Sequence, residues 1–388
     1  MGGGPLVYTP GTPAELAESL RRCALHVRTI RLQGAGTKGL MAGPVERADD
    51  TITTTGLRRV LQYEPNDLTI SVEAGLPWSE FCALLAANRQ MVPLDPPFRA
   101  GATVGGVVAA NTSGPRRRLY GTARDAVIGM TFATLEGKLV PSGGMVVKNV
   151  AGLDMAKLMI GSFGTLAGIA IVNFKLTPMP EVERSFLVPF ESSAAAMAAR
   201  DRMLASVLQP AAIDLLNPAA ASTLGNRTWA LAVRAGGNAA AVDRYEREIA
   251  GLGDAVAFEG VEHESLWRHI EDFTVAFLAR HAQGAVIRAS CTLKEVGRVM
   301  DSLAVPALAR AGSGVCYGYF EDFSAAAAWA GGAASNGWRA VVEFAPNERK
   351  NDFELWPAPG PDIELMRRVK NLFDPENLLN RGRLYRRI

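Results

Sequence analysis

The stretch Gln33-Gly34-Ala35-Gly36-Thr37-Lys38-Gly39-Leu40-Met41-Ala42-Gly43-Pro44 decides how this chain is read. It follows HVRTIRLQ (residues 26–33), which alternates as a half-buried strand does. Its glycines fit G-x-G-x-x-G, the pattern whose tight turn brings backbone N–H groups against a pyrophosphate. The doubly wound dinucleotide fold also requires the third glycine to open a helix. Here Gly43-Pro44 follows within one turn, and proline lacks the N–H and clashes with a preceding helical turn. The dinucleotide fold is therefore disfavoured. Two readings remain: a loop between strands whose successive N–H groups form an anion nest, or an ordinary hairpin turn.

The loop does not stand alone. ATVGGVVAANTSG (residues 102–114) offers a second cluster of small residues with backbone donors and the hydroxyls of Thr103, Thr112 and Ser113. GSFGTLAGI (residues 161–169) offers a third, with Ser162 and Thr165 set between Gly161, Gly164 and Gly168. Three such loops in one half of the chain suit a long, bent, phosphate-bearing ligand better than a small substrate.

Around them, Thr12-Pro13 opens a short amphipathic helix. LTISVEAG reads as a strand, WSEFCALLAANR as a helix, and residues 127–139 as a hairpin turning at Glu136-Gly137. Residues 167–177 form a strongly apolar strand. After Pro180 the composition shifts to Ala-rich helices alternating with short strands such as TWALAVRA and WRAVVEFA, and PDIELMRRVKNLFD reads as a late helix. Both periodicities occur without a regular strand–helix rhythm, which predicts an α+β protein of more than one domain for 388 residues.

Lys and Arg number 41 against 39 Asp and Glu, so no basic stripe is available for nucleic acid. Cys23, Cys82, Cys291 and Cys316 lie too far apart for a disulfide framework or an iron–sulfur motif and read as buried thiols of a reducing compartment. No secretory signal or membrane span is visible, and a cytoplasmic location is expected.

The ordered run QGAGTKG, TISVEAG, PFRAGATVGGVVAANTSGPRRRLYGTARDAVIG and KNVAGLDMAKLMIGSFGTLAGI resembles the FAD domain of vanillyl-alcohol-oxidase-type (PCMH-type) flavoproteins. VVKNVAGLDMAKLMIGSFGTL, GPRRRLYG and the ending LFDPENLLNRGRLY are similar to the FAD-binding E subunits of bacterial glycolate oxidases. The resemblance implies a two-subdomain FAD-binding domain over residues 1–180, an α+β cap domain over 181–345, and a segment 346–388 that returns to the FAD domain. It implies that Gly34, Ala35, Gly36, Thr37 and Lys38 hold the FAD pyrophosphate. Ala102, Thr103, Val104, Gly105 and Gly106, with Asn111, Ser113 and Gly114, would run toward the flavin. Gly161, Ser162, Gly164, Thr165, Gly168 and Ile169 would pack near adenine and ribose, and Asn380 and Arg383 would return to the flavin edge.

The same resemblance implies glycolate oxidation to glyoxylate in a complex with a catalytic flavoprotein subunit and an iron–sulfur subunit, with peripheral membrane association only through that complex. Departures are informative. Relatives that attach FAD covalently place a histidine in or just after the first loop, where Thr37 and Lys38 stand, and none occurs between His26 and His263, so non-covalent FAD is expected. The Gly-Asp-x-Asn-x-His segment of related hydroxy-acid dehydrogenases is missing; Phe163, Ala167 and Arg381 replace an acid, a glycine and a proline. No metal motif is present: Trp267 stands where His263-Glu264 would need a second histidine. His263 and His269 read as solvated or capping residues. Arg268 and Arg383 are the candidate carboxylate clamps, and Arg116-Arg117-Arg118 reads as a solvated loop or a contact for an acidic partner or FAD phosphate.

Overall fold

The computed structural model describes residues 5–145, 154–351 and 353–385. Residues 146–153, which open the stretch VVKNVAGLDMAKLMIGSFGTL, lie outside the described residues. Two compact units divide the chain: Met1–Ser113 with Thr122–Met179 and Ala358–Ile388, and Gly114–Gly121 with Pro180–Pro357.

The first unit holds two main sheets. In the smaller, Asp50–Thr53 lies between Leu6–Tyr8 and Ile30–Gln33 and pairs in parallel with both. That pairing disposes of the hairpin reading, because strands joined by a tight turn must run antiparallel. The helix Pro13–Leu25 starts where Thr12 caps it, its hydroxyl accepting from the N–H of Glu15, and it buries Leu16, Leu20 and Cys23. The larger sheet is antiparallel, in the order Val60–Glu64, Thr69–Glu73, Gly168–Lys175, Val127–Ala133 and Leu139–Gly143. The expected hairpin turns at Gly137, whose φ is +81°. Against this sheet lies the Trp78–Ala86 helix, burying Trp78, Phe81 and Leu85.

One expected loop is a helix. Val104–Ala110 is helical, capped by Thr103, and buries Val104, Val107 and Val108. These valines stand at i, i+3 and i+4, a helical stripe that Gly105-Gly106 disguises. Gly105 is there because the helix presses on a neighbouring strand end: a Cβ would lie 2.7 Å from that of Ala74.

The second unit is an eight-stranded antiparallel sheet. Its order is Val256–Phe258, Val182–Phe190, Trp229–Gly237, Ala212–Leu216, Ala307–Arg310, Val315–Phe320, Ala285–Ser290 and Arg339–Phe344. Successive strand residues point to opposite faces. Phe186, Ile213, Val233, Ile287 and Val342 form a core with Met203, Ile249, Met300 and Phe323 from helices. The alternate positions carry Glu183, Ser185, Arg234, Asp214, Arg310, Tyr317 and Arg288, so the other face is polar.

Two boundaries differ from the sequence reading. Gly114–Gly121 belongs with the second unit, because Arg118 donates to the Pro210 carbonyl at 2.8 Å and its stem packs on Gly312. The returning segment begins at Ala358, not at 346, since residues up to Pro357 pack with the second unit's core, Leu355 and Trp356 among them. The cysteines are all free thiols, Cys23 and Cys316 buried, Cys82 and Cys291 only half-buried.

Candidate cofactor site

Gly34 leaves its strand against Thr103: any Cβ at 34 would collide with the Thr103 hydroxyl, so the first two glycine segments touch. Gly36 then takes a φ of +73°, a left-handed conformation that favours glycine. Gly39 N–H closes the turn on the Gly36 carbonyl at 3.1 Å and Met41 N–H on that of Lys38 at 3.1 Å. Between them, the N–H groups of Ala35, Gly36, Thr37 and Lys38 donate to no described residue. Consecutive N–H groups beside a left-handed residue are able to form an anion nest.

Lys38 strengthens that reading. Its side chain is 8% exposed, and burial pushes its pKa down to about 8. Arg383 is equally buried; its guanidinium donates to the carbonyls of Gly43 at 2.8 Å and Lys38 at 2.9 Å and lies 5.4 Å from the centre of the Phe163 ring. Burial, and secondarily Arg31, lowers its pKa to about 10. Among the described residues no carboxylate pairs with either cation. Buried charges of one sign are stable only against a counter-charge, which an anion would supply.

The second segment works differently from the expectation. The N–H of Val104 donates to Leu76 O at 2.9 Å, that of Gly105 to Ala74 O at 2.7 Å, and that of Gly106 to Thr103 Oγ1 at 3.3 Å. These donors are spent inside the protein. The open polar atoms lie at the other end of the helix, where Asn111 Oδ1 and Thr112 Oγ1 are buried without a hydrogen-bond partner. Asn111 is the left-handed helix cap, at φ +49°.

The third segment packs on that helix end. Gly161 N–H donates to Val108 O at 3.2 Å and Phe163 N–H to Ala109 O at 2.9 Å, with Gly161, Phe163 and Gly164 all at positive φ. Ser162 Oγ accepts from the Gly164 N–H and Thr165 Oγ1 donates to Ser162 O at 2.8 Å, so both hydroxyls shape the loop. Gly168 and Ile169 lie in the following strand, and Gly168 serves close packing: a Cβ would sit 3.2 Å from Leu20 of the first helix.

The C-terminal segment ties these pieces together. Asn380 bonds Leu32 and Phe163 at once, and the carbonyl oxygens of Arg381 and Arg383 accept from the N–H groups of Glu46 and Gly43 at 3.0 Å. Buried Lys370 donates to the carbonyls of Thr165 and Leu379 and to Asp374, whose carboxylate also accepts the N–H groups of Leu378 and Leu379. Sequence reading overlooked Lys370 and Asp374; their i, i+4 spacing was the available signal.

In the second unit, Arg268 is exposed on the helix Gly260–Glu271 and Gly114 belongs to the segment carrying Arg118. His263, expected to be solvated, is instead buried, its Nδ1 2.7 Å from Ser185 Oγ.

Four consecutive free backbone N–H groups, two buried cations without a carboxylate partner and two orphaned polar atoms thus lie on one α+β unit with two sheets. Residues 5–143 match the FAD binding domain and residues 349–384 the C-terminal domain of FAD linked oxidases. The chain is 34% identical to glycolate oxidase subunit GlcE of Escherichia coli over 44% of its own length and 48% of that subunit. It therefore spans about half of that relative. It is 29% identical to an uncharacterized FAD-linked oxidoreductase of Mycobacterium tuberculosis, over 96% of this chain and 89% of the other. The fold matches 4-ethylphenol oxidase from Gulosibacter chungangensis at a TM-score of 0.74, with 14% identity, covering 97% of this chain and 88% of that one. The chain carries an FAD-binding domain and is homologous to FAD-linked oxidases; its cofactor is FAD. No helix among the described residues is long and apolar enough to cross a membrane.

Proposed function

We propose that this chain is the FAD-bearing subunit of a 2-hydroxy-acid oxidase complex, with glycolate as substrate and glyoxylate as product. The observation that carries the reading is Lys38: a buried ammonium without a carboxylate partner among the described residues, beside four N–H groups with no acceptor. Ala35, Gly36, Thr37 and Lys38 would hold the pyrophosphate, Asn111 and Thr112 would meet polar atoms of the cofactor, and Asn380 and Arg383 would keep the loop in place. Bound there, FAD supplies the hydride acceptor. No histidine stands in the loop, so the attachment is non-covalent.

A base must also take the hydroxyl proton. Arg268 and Arg383 cannot, because arginine stays protonated. We therefore assign full turnover to the complex, with a catalytic flavoprotein partner and an iron–sulfur subunit at the cytoplasmic side; the similarity to a glycolate oxidase subunit supports this. Acid precipitation should give a colourless pellet and a yellow supernatant. Anaerobic mixing of the isolated, FAD-loaded chain with glycolate should leave the flavin oxidised. Flavin retained in the pellet refutes non-covalent binding, and rapid bleaching refutes the need for a partner. A second reading, a self-sufficient FAD-dependent alcohol or hydroxy-acid oxidoreductase, is favoured by the near full-length match to an FAD-linked oxidoreductase. Bleaching would select it.

A further inference from the structure

Two thiols that lie far apart in the chain meet in the second unit. In the antiparallel ladder Cys316 stands opposite Ala289 on one side and Ala309 on the other, and Val315 opposite Ser290. Cys291 comes next, just past the end of its strand, where its N–H donates to Gly314 O at 2.9 Å and its thiol to the same oxygen at 3.7 Å. Side chains alternate between faces, so Cys291, Ala289 and Cys316 share one face and the two cysteines are diagonal neighbours. Both residues opposite Cys316 are alanines, so no large cross-strand side chain screens its sulfur from Cys291. The two thiols hydrogen-bond to each other.

Their surroundings set them apart. Cys291 is half-buried and Cys316 fully buried. The bond from Cys316 lowers the Cys291 thiol below its usual range, against burial and the Glu295 charge. The same bond, with burial, holds the Cys316 thiol well above its own. The Arg200 guanidinium, buried and donating to Ala311 O at 2.8 Å and Leu293 O at 3.0 Å, adds positive charge that favours the thiolate. A partly exposed thiolate beside a protonated, sheltered thiol is the arrangement that reacts with peroxide and then resolves to a disulfide. Diagonal strand neighbours lie roughly 7–8 Å apart, about an ångström beyond the usual disulfide span. Cys291, past its strand end, can close that gap by giving up Gly314.

We infer that Cys291 and Cys316 form a reversible oxidation site for hydroperoxides, with Cys291 as the attacking sulfur and Cys316 as the resolving one. With hydrogen peroxide, an S–O bond forms at Cys291, the O–O bond breaks, and the leaving hydroxide takes the thiol proton as water. The Cys316 sulfur then attacks that sulfenic acid: the S–S bond forms, the S–O bond breaks, and a second water leaves with the Cys316 proton. The two thiols lose two electrons, which reduce one peroxide to water, and a dithiol reductant reverses the change. The FAD-loaded full chain, reduced and freed of reductant, is treated with hydrogen peroxide, and its thiols are counted after denaturation. The count should fall from four to two and return to four with dithiothreitol. Peptide mapping should find Cys291 joined to Cys316, with Cys23 and Cys82 still free. Cys316→Ala should stop at the Cys291 sulfenic acid, captured by dimedone, and Cys291→Ser should keep its three remaining thiols. Four thiols after peroxide, a disulfide between other partners, or dimedone labelling confined to Cys82 overturns the inference. Were Cys316→Ala to misfold, the parent's thiol count and peptide map decide alone.

Discussion

Asn380 grips Leu32 by both of its backbone groups: the carboxamide oxygen accepts the Leu32 N–H at 2.9 Å, and its nitrogen donates to the Leu32 carbonyl at 2.9 Å. The same nitrogen donates to Phe163 O at 2.7 Å. One side chain therefore joins the C-terminal segment to the strand before the first glycine loop and to the third loop. Asn380→Asp keeps shape and acceptor but turns a buried oxygen against two carbonyls. The expected loss is about 3 kcal/mol in urea unfolding, with FAD retention falling in parallel. A loss below about 1 kcal/mol would mean that the segment rests on Lys370 and Asp374 alone.

Gly36 and Gly43 separate cofactor from fold. A Cβ at Gly36 meets nothing closer than Gln33 at 3.6 Å, although its φ of +73° makes any side chain pay about 1–2 kcal/mol. Gly36→Val should thus leave a folded apoprotein whose flavin content collapses, because the branched carbons occupy the pyrophosphate's place. At Gly43 a Cβ would collide with the Gly382 carbonyl, so Gly43→Ala should lower the melting temperature first. Normal flavin occupancy in Gly36→Val would show the loop to be a turn and no more.

Local chemistry explains what was readable beforehand. Thr12-Pro13 announces its helix, Glu136-Gly137 its hairpin, and the first glycine loop its left-handed turn, since each depends on neighbours in sequence. The Val104–Ala110 helix was hidden because Gly105-Gly106 signals a loop, and the reason for Gly105 is Ala74, some thirty residues earlier. Lys370 takes its meaning from Thr165 and Leu379, and Cys291 from Cys316 on the neighbouring strand. Which histidine is buried was equally non-local, being settled by the strand that carries Ser185.

His263 makes acid stability a specific test. Trp267 Nε1 donates to Ser185 Oγ at 2.6 Å, and His263 Nδ1 lies 2.7 Å from the same oxygen, so the imidazole is held inside the unit. Burial, then the Arg234 charge, pushes its pKa from 6.5 down to about 4. A depressed folded value means that the neutral ring's contribution is complete above the unfolded pKa and is lost as pH falls toward the folded one. Stability should decline by up to about 1.4 kcal/mol per pH unit across that window. Thermal melts of His263→Gln should lack this component; the same acid slope in both proteins would place the titrating group elsewhere.

Lys38 makes the opposite kind of prediction, for binding and at alkaline pH. In the protein without FAD its pKa is pushed from 10.5 down to about 8, because burial disfavours the ammonium. A pyrophosphate in the nest would favour the charged form and raise that value again. Binding then takes up a proton wherever the pH lies above the unliganded pKa and below the liganded one. FAD affinity should be level under about pH 7 and fall by up to about tenfold per pH unit above about pH 8. Lys38→Met should bind FAD more weakly throughout and without this slope. Lys38→Arg stays charged over the whole range and should restore affinity while keeping the profile flat. Quenching of flavin fluorescence on titration with apoprotein, repeated across the pH range, measures all three. If Lys38→Met keeps the parent's alkaline slope, the titrating group is not Lys38, and the buried ammonium is not what meets the phosphates.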